Sequence, residues 1–233
     1  APLAQHQVDL DRPLGDFEFV AFDTETPGLM PARERVVEVS GVRFNLEGEL
    51  ATFESLVDPG MPIPPGSSRV HGIKDEDVAG QPVVGDVLPK FMELCKGAIV
   101  VAHNAEFDVN FLAHEAVRSG VKLNAVPVLD TVEIARALRP DLPNHKLETI
   151  SNALGCAAPT YHRALADSRT LMNSLLALVE GAPGLAKPWP SSGPPGPAKP
   201  PSSTSSSSPS CRRCGGFSSW WWRDRCSWAG CGS

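Results

Sequence analysis

The chain has 233 residues and a formal net charge of −6. That length favours one domain with room for an extension, and about 180 residues are enough to bury a sizeable core. No apolar run is long enough to cross a bilayer, so no membrane partner is expected.

The start, Ala1-Pro2-Leu3-Ala4-Gln5-His6, has neither the basic region nor the apolar stretch of a secretory signal. It also lacks a Met, as a trimmed chain or a fragment would. The expected location is cytoplasmic. Residues 1–180 carry 15 Lys and Arg against 26 Asp and Glu, whereas residues 181–233 carry 6 against 1. An acidic body is not the footprint of a strong nonspecific nucleic-acid binder. It suits an enzyme that gathers divalent cations, and equally an ordinary acidic globular protein. Cys95 and Cys156 have no sequence neighbours to pair with and read as small buried apolar residues.

In chain order, residues 1–16 read as an extension. Phe17 to Phe22 is a mostly apolar, central strand that runs into Asp23-Thr24-Glu25-Thr26 and is stopped by Pro27-Gly28. Val36 to Phe44 is a second strand, Asn45 to Gly48 a turn, and Ala51 to Val57 a third strand. Residues 61–85 form a Pro/Gly-rich stretch containing Val70-His71-Gly72-Ile73. Val87 to Cys95 is a short amphipathic helix, and Ala98 to Ala102 a buried strand. Asn104 is placed to cap a helix over 105–118, which Gly120 ends. Pro127 to Thr131 is a short strand, and Val132 to Leu138 a helical turn or two. Lys146 to Leu154 and Arg163 to Glu180 are helices, the last with Ala164, Leu171, Leu175 and Leu178 as its apolar stripe.

This order predicts a mixed α/β fold, a sheet flanked by helices. Short connections make the first three strands antiparallel. The later ones, reached through helices, run parallel to the first. Residues 181–210 are a Pro/Gly/Ser-rich linker with too little apolar surface to order. Residues 211–233 are a basic tail rich in Cys and Trp, read mainly as disordered. Its Cys211, Cys214, Cys226 and Cys231 have the C-x2-C-x11-C-x4-C spacing of a candidate Zn²⁺ knuckle.

The chemistry lies in scattered acids. Asp23 and Glu25 stand two apart at a strand end, so both point to one face. Two adjacent carboxylates repel, and a hard divalent cation removes that penalty. Asp108 lies one turn into the helix that opens after His103-Asn104. A first-turn carboxylate there is also what the helix dipole favours. Asp167 follows His162 by five residues. A histidine at that place can deprotonate water near neutral pH. Each feature alone also reads as a solvated surface group. Together they sit where strands meet loops and helices begin, positions that converge on one edge of an α/β sheet.

With these residues in place, the sequence resembles the proofreading-type 3′–5′ exonucleases with four acidic residues and a histidine. Asp23-Thr24-Glu25-Thr26, His103 to Asp108, and His162 to Asp167 match its three motifs in order. Val70-His71-Gly72-Ile73, Leu129-Asp130-Thr131 and His145-Lys146-Leu147 resemble its connecting pieces, and the likeness covers roughly residues 17–180.

The resemblance implies a ribonuclease H-like fold. It implies that Asp23, Glu25, Asp108 and Asp167 hold two divalent ions, Mg²⁺ or Mn²⁺, with His162 as general base. It also implies release of nucleoside 5′-monophosphates from single-stranded or frayed DNA 3′ ends, in a proofreading role with a DNA polymerase in trans. Thr26, Leu29 and Met30 would line the pocket for the terminal nucleotide, Leu29 and Met30 wedging between the last two bases. His103 and Asn104 would steer the strand. A freestanding exoribonuclease or RNA-end trimmer, and a non-catalytic end-binding or polymerase-scaffolding module, are the alternatives.

Overall fold

The structure, a computed structural model, describes residues 12–158 and 162–181. The linker from residue 182, the tail and its cysteines lie outside the described residues. After a 3-10 turn at Leu14–Asp16, the elements are β1 (Phe19–Glu25), β2 (Glu38–Asn45), β3 (Gly48–Leu56), α1 (Pro65–His71), α2 (Asp75–Val78), α3 (Val84–Leu94) and β4 (Ile99–Ala102). They continue with α4 (Ala105–Ser119), β5 (Val128–Asp130), α5 (Thr131–Leu138), α6 (Leu147–Leu154) and α7 (Ala164–Glu180).

The sheet order is β3-β2-β1-β4-β5. β1 to β3 pair antiparallel, and β4 and β5 run parallel to β1. Helices cover both faces, as the element order predicts. Among the described residues, no helix is long and apolar enough to cross a membrane.

β1 explains the layering. Its side chains alternate between faces. Val20 and Phe22 join a core with Phe91 of α3 and with Phe111 and Leu112 of α4. Phe19 and Ala21 join the opposite core with Leu171, Met172 and Leu175 of α7. A strand buried on both faces reads as a continuous apolar run, which is the pattern of Phe19-Val20-Ala21-Phe22. Each large side chain removed from water stabilises the fold by about 1.5–3 kcal/mol.

The sheet and α3 approach closely at Gly41 in β2. A Cβ there would meet Leu94 Cδ2 at 2.9 Å, Phe91 Cε2 at 3.0 Å and Val20 Cγ1 at 3.3 Å. Gly41→Ala is therefore expected to destabilise by about 1–3 kcal/mol through overpacking. Urea denaturation checks this, and an unchanged midpoint would show that α3 yields freely.

Several local expectations change. The 61–85 stretch contains two short helices and the start of α3. Pro65 supplies a pre-set φ at the first position of α1, and Gly72, at φ 77°, ends it in the left-handed region that a Cβ disfavours. α3 begins at Val84, not Val87, and keeps Pro89 inside it. β2 starts at Glu38 rather than Val36, and Thr131 opens α5 instead of ending β5. Asn104 occupies the cap position of α4, but its side chain makes no cap bond and its backbone is left-handed (φ 61°). Asp130 caps instead, accepting from the N–H groups of Asn104 and Ala105, both at 3.1 Å. The same carboxylate accepts from Val132 N–H at 2.9 Å and so also caps α5. Cys95 is buried as expected, whereas Cys156 is only half-buried.

Candidate metal centre

The alternation of β1 carries on past its core residues. Asp23 and Glu25 continue the face of Phe19 and Ala21, which α7 covers, and Asp167 lies in the first turn of α7. One oxygen from each of Asp23, Glu25 and Asp167 falls within 4.8 Å of the others. Thr24 faces the other way, toward α4. Its N–H and Oγ1 donate to Asp108 Oδ1 at 3.0 and 2.6 Å. Asp108 thus reaches the same strand end from the opposite layer, and among its charged neighbours it weighs most on Asp23.

The site is electrostatically costly without a cation. Burial, then the charges of Asp108, Glu25 and Asp167, hold Asp23 well above the usual carboxylate range. Burial, then Asp167, Glu38 and Asp108, push Glu25 to about 8. Burial pushes Asp108 to about 7 against the lowering effect of its Thr24 hydrogen bonds. Asp167 is raised by burial and lowered in part by the His162 N–H.

Glu25 Oε1 and Asp167 Oδ1 are buried with no hydrogen-bond partner. Buried oxygens are ordinarily paired. Orphaned carboxylate oxygens converging on one point fit a hard divalent ion, which prefers oxygen donors.

These carboxyls titrate higher in the folded than in the unfolded chain. Well below the unfolded values, 3.8 for Asp108 and 4.5 for Glu25, both states are protonated and no penalty exists. As pH rises toward about 8, the unfolded chain loses protons first and the metal-free fold loses stability. Each pKa unit corresponds to about 1.4 kcal/mol. Differential scanning fluorimetry of EDTA-treated protein should show the melting temperature rising far more on adding Mg²⁺ at about pH 8 than at about pH 5. Equal stabilisation at both would show that these acids do not hold the ion.

His162 is exposed, with its backbone in the left-handed region (φ 64°). Its N–H donates to Asp167 Oδ2 at 2.7 Å. Thr26 Oγ1 donates to Gly28 O at 2.6 Å within its own loop. Leu29 and Met30 are 79% and 50% exposed, although large and apolar. His103 is half-buried, with Nδ1 sharing a 2.9 Å hydrogen bond with Thr131 Oγ1, and burial lowers its pKa. Asn104 is exposed beside it.

One site residue, Glu38, escaped sequence reasoning, and another, His71, was read only as part of a connecting piece. Glu38 of β2 lies directly across from Glu25 and is fully buried. Like charges directly opposite destabilise a strand pair. Arg163 Nη2 at 2.8 Å and Ala164 N–H at 3.0 Å compensate Glu38. The available signal was a lone acid inside the apolar run Val36-Val37-Glu38-Val39. His71 is also buried. Its Nδ1 accepts from Ile73 N–H at 3.1 Å, and its Nε2 has no partner.

A mixed sheet of this topology, with carboxylates from its central strand and two covering helices gathered at the strand end, defines an RNase H-like metal-dependent nuclease. The exonuclease family (RNase_T) matches residues 20–175. The PolC-type DNA polymerase III of Caldanaerobacter subterraneus subsp. tengcongensis is 37% identical over 163 residues, covering 70% of this chain and 12% of that protein. The DNA polymerase III subunit epsilon of Treponema pallidum is 34% identical over 163 residues, covering 69% of this chain and 76% of that one. The solved structure of Exonuclease X in complex with 5′ overhanging duplex DNA superposes with a TM-score of 0.58 at 26% identity, over 70% of this chain and 91% of that one. Exonuclease I of E. coli bound to a dT13 oligonucleotide, at 19% identity and a TM-score of 0.63, shares the fold.

The chain therefore belongs to the DnaQ-like family of 3′–5′ exonucleases with four acids and a histidine. It spans only about an eighth of the length of the PolC-type relatives.

Proposed function

We propose that this chain hydrolyses single-stranded or frayed DNA from the 3′ end, releasing nucleoside 5′-monophosphates. The convergence of Asp23, Glu25 and Asp167, two of them with orphaned buried oxygens, carries the reading. Asp23, Glu25, Asp108 and Asp167 would hold two Mg²⁺ or Mn²⁺ ions. When bound, such ions activate a water and offset charge on the scissile phosphate and the leaving oxygen. Asp108 keeps its place through Thr24, so the two layers of the fold hold opposite sides of the centre.

His162, presented to solvent beside Asp167, takes the proton of the attacking water. Leu29 and Met30 stand exposed on the loop that leaves the site, where they can separate the terminal base from its neighbour, with Thr26 beside the terminal sugar. His103 and Asn104, at the start of the Asp108 helix, steer the strand.

DNA is favoured because relatives are named as DNA polymerases and the Exonuclease X structure contains duplex DNA. The same names support a polymerase partner.

The test is a 5′-labelled single-stranded DNA oligonucleotide incubated with Mg²⁺, Mn²⁺ or EDTA, with matched RNA alongside. A ladder shortening from the 3′ end that EDTA abolishes is the expected result. Cleavage of RNA alone would move the substrate to RNA. Intact oligonucleotides in both metals would remove the catalytic reading.

A further inference from the structure

The loop between β1 and β2 is held far more firmly than its exposed apolar tip suggests. Met30 N–H donates to Glu34 Oε2 at 2.6 Å, and the N–H groups of Arg33 and Glu34 both donate to Met30 O at 2.9 Å. The Glu34 carboxylate fills the space above Gly28, where a Cβ would lie 2.1 Å from Glu34 Oε1. α4 then clamps this folded loop from outside. Arg118 donates through Nη1 to Glu34 O at 2.8 Å and through Nη2 to Pro31 O. Glu115, fully buried, accepts from Arg35 Nε at 2.8 and 3.0 Å and from Val36 N–H at 3.1 Å.

Arg118 Nη1 also donates to Glu115 Oε1 at 3.4 Å, and a buried carboxylate held in this way by two guanidinium groups is weak evidence for stability. Its best-attested use is to fix one arrangement among several. Here the arrangement fixed is that of two large apolar side chains held out into water. α4 also carries Asp108, seven residues or about 10 Å before Glu115 along the helix axis. A single helix thus sets both a carboxylate of the metal centre and the height of the loop tip.

We propose that Glu115 and Arg118 are positioning residues that stiffen the 27–35 loop, so that Leu29 and Met30 can open a paired 3′ end. Apolar side chains pushed between base steps work against stacking and pairing. A loop free to bend would yield before the bases did. A single strand offers less resistance and places a smaller demand on the clamp, and a substrate with no neighbouring base places none. The clamp therefore sets the preference between paired and unpaired ends. The inference rests on the reading of Leu29 and Met30 given above.

The experiment compares three substrates on the full chain: a chromogenic aryl ester of thymidine 5′-monophosphate, a single-stranded oligonucleotide, and a blunt duplex. Arg118→Ala should lower kcat/KM on duplex by about tenfold relative to single strand. Ester turnover should stay within about twofold. Glu115→Gln, which keeps size and removes charge, should lower the duplex-to-single-strand ratio in the same direction, and Arg118→Lys should recover part of it. Equal losses on all three substrates, or an unchanged ratio in both Arg118→Ala and Glu115→Gln, would overturn the proposal. The double variant Leu29→Ala/Met30→Ala separates the clamp from the wedge. If it loses duplex activity while the clamp variants keep the ratio, the clamp proposal fails and the wedge stands. If it retains the wild-type ratio, the wedge reading fails and takes the clamp with it.

Discussion

Asp167→Asn is expected to lower nuclease turnover by about a thousandfold or more while raising the melting temperature of the metal-free protein. The two effects have one cause. Asp167 brings a buried oxygen without a partner toward Asp23 and Glu25, and its charge helps to raise the pKa of both. An amide removes that charge and relieves the repulsion, yet its carbonyl can still accept the His162 N–H that Asp167 Oδ2 now takes. The same change removes a hard anionic donor. A divalent ion contributes several kcal/mol to the transition state, and each 1.36 kcal/mol is tenfold in rate. Steady-state turnover and EDTA-treated thermal melts measure the two arms. Lost activity with lowered stability would point to a structural role. Retained activity would remove Asp167 from the metal centre.

His162→Ala is expected to reduce turnover by about 10²- to 10⁴-fold, the usual range for a positioned general base, while Mg²⁺ still raises the melting temperature. The side chain is exposed, so its removal opens no cavity. The backbone is the more delicate part. Alanine is strained at φ 64°, whereas glycine is not. His162→Gly should therefore melt higher than His162→Ala, with activity lost in both. A pH–rate profile unchanged by either substitution would exclude the histidine as base. Loss of Mg²⁺ stabilisation would show that the backbone at 162 had released Asp167.

Local period and punctuation made much of this architecture legible. The apolar run of β1, the two-residue spacing of Asp23 and Glu25, and the stripe of Ala164, Leu171, Leu175 and Leu178 each express one element facing another. The layer assignment follows from them. α1 was not legible, because a seven-residue helix rich in Gly and Ser has no period to read and its prolines resemble loop punctuation. The capping of α4 was hidden for a different reason. Asn104 has the right residue type in the right place, but Asp130, 26 residues later, reaches the same N–H groups with a full charge. Glu38 and Arg163 show the general limit. Glu38 interrupts an apolar run, but nothing in sequence points to Arg163, and their pairing exists only once α7 has crossed the sheet. Gathering the acids required tertiary structure, although a resemblance in motif order anticipated it.

α7 joins two events, closure of a core and assembly of the acidic cluster. The helix covers one whole face of the central strand, and the same docking delivers Asp167, Arg163 and the backbone at His162 to the strand end. During synthesis β1 emerges about 140 residues before α7, with an unanswered pair of carboxylates and an open apolar face. On the proposed reading, a nascent chain would carry no cutting centre until α7 had docked. Competence to degrade nucleic acid would then arrive only with the packing of that helix.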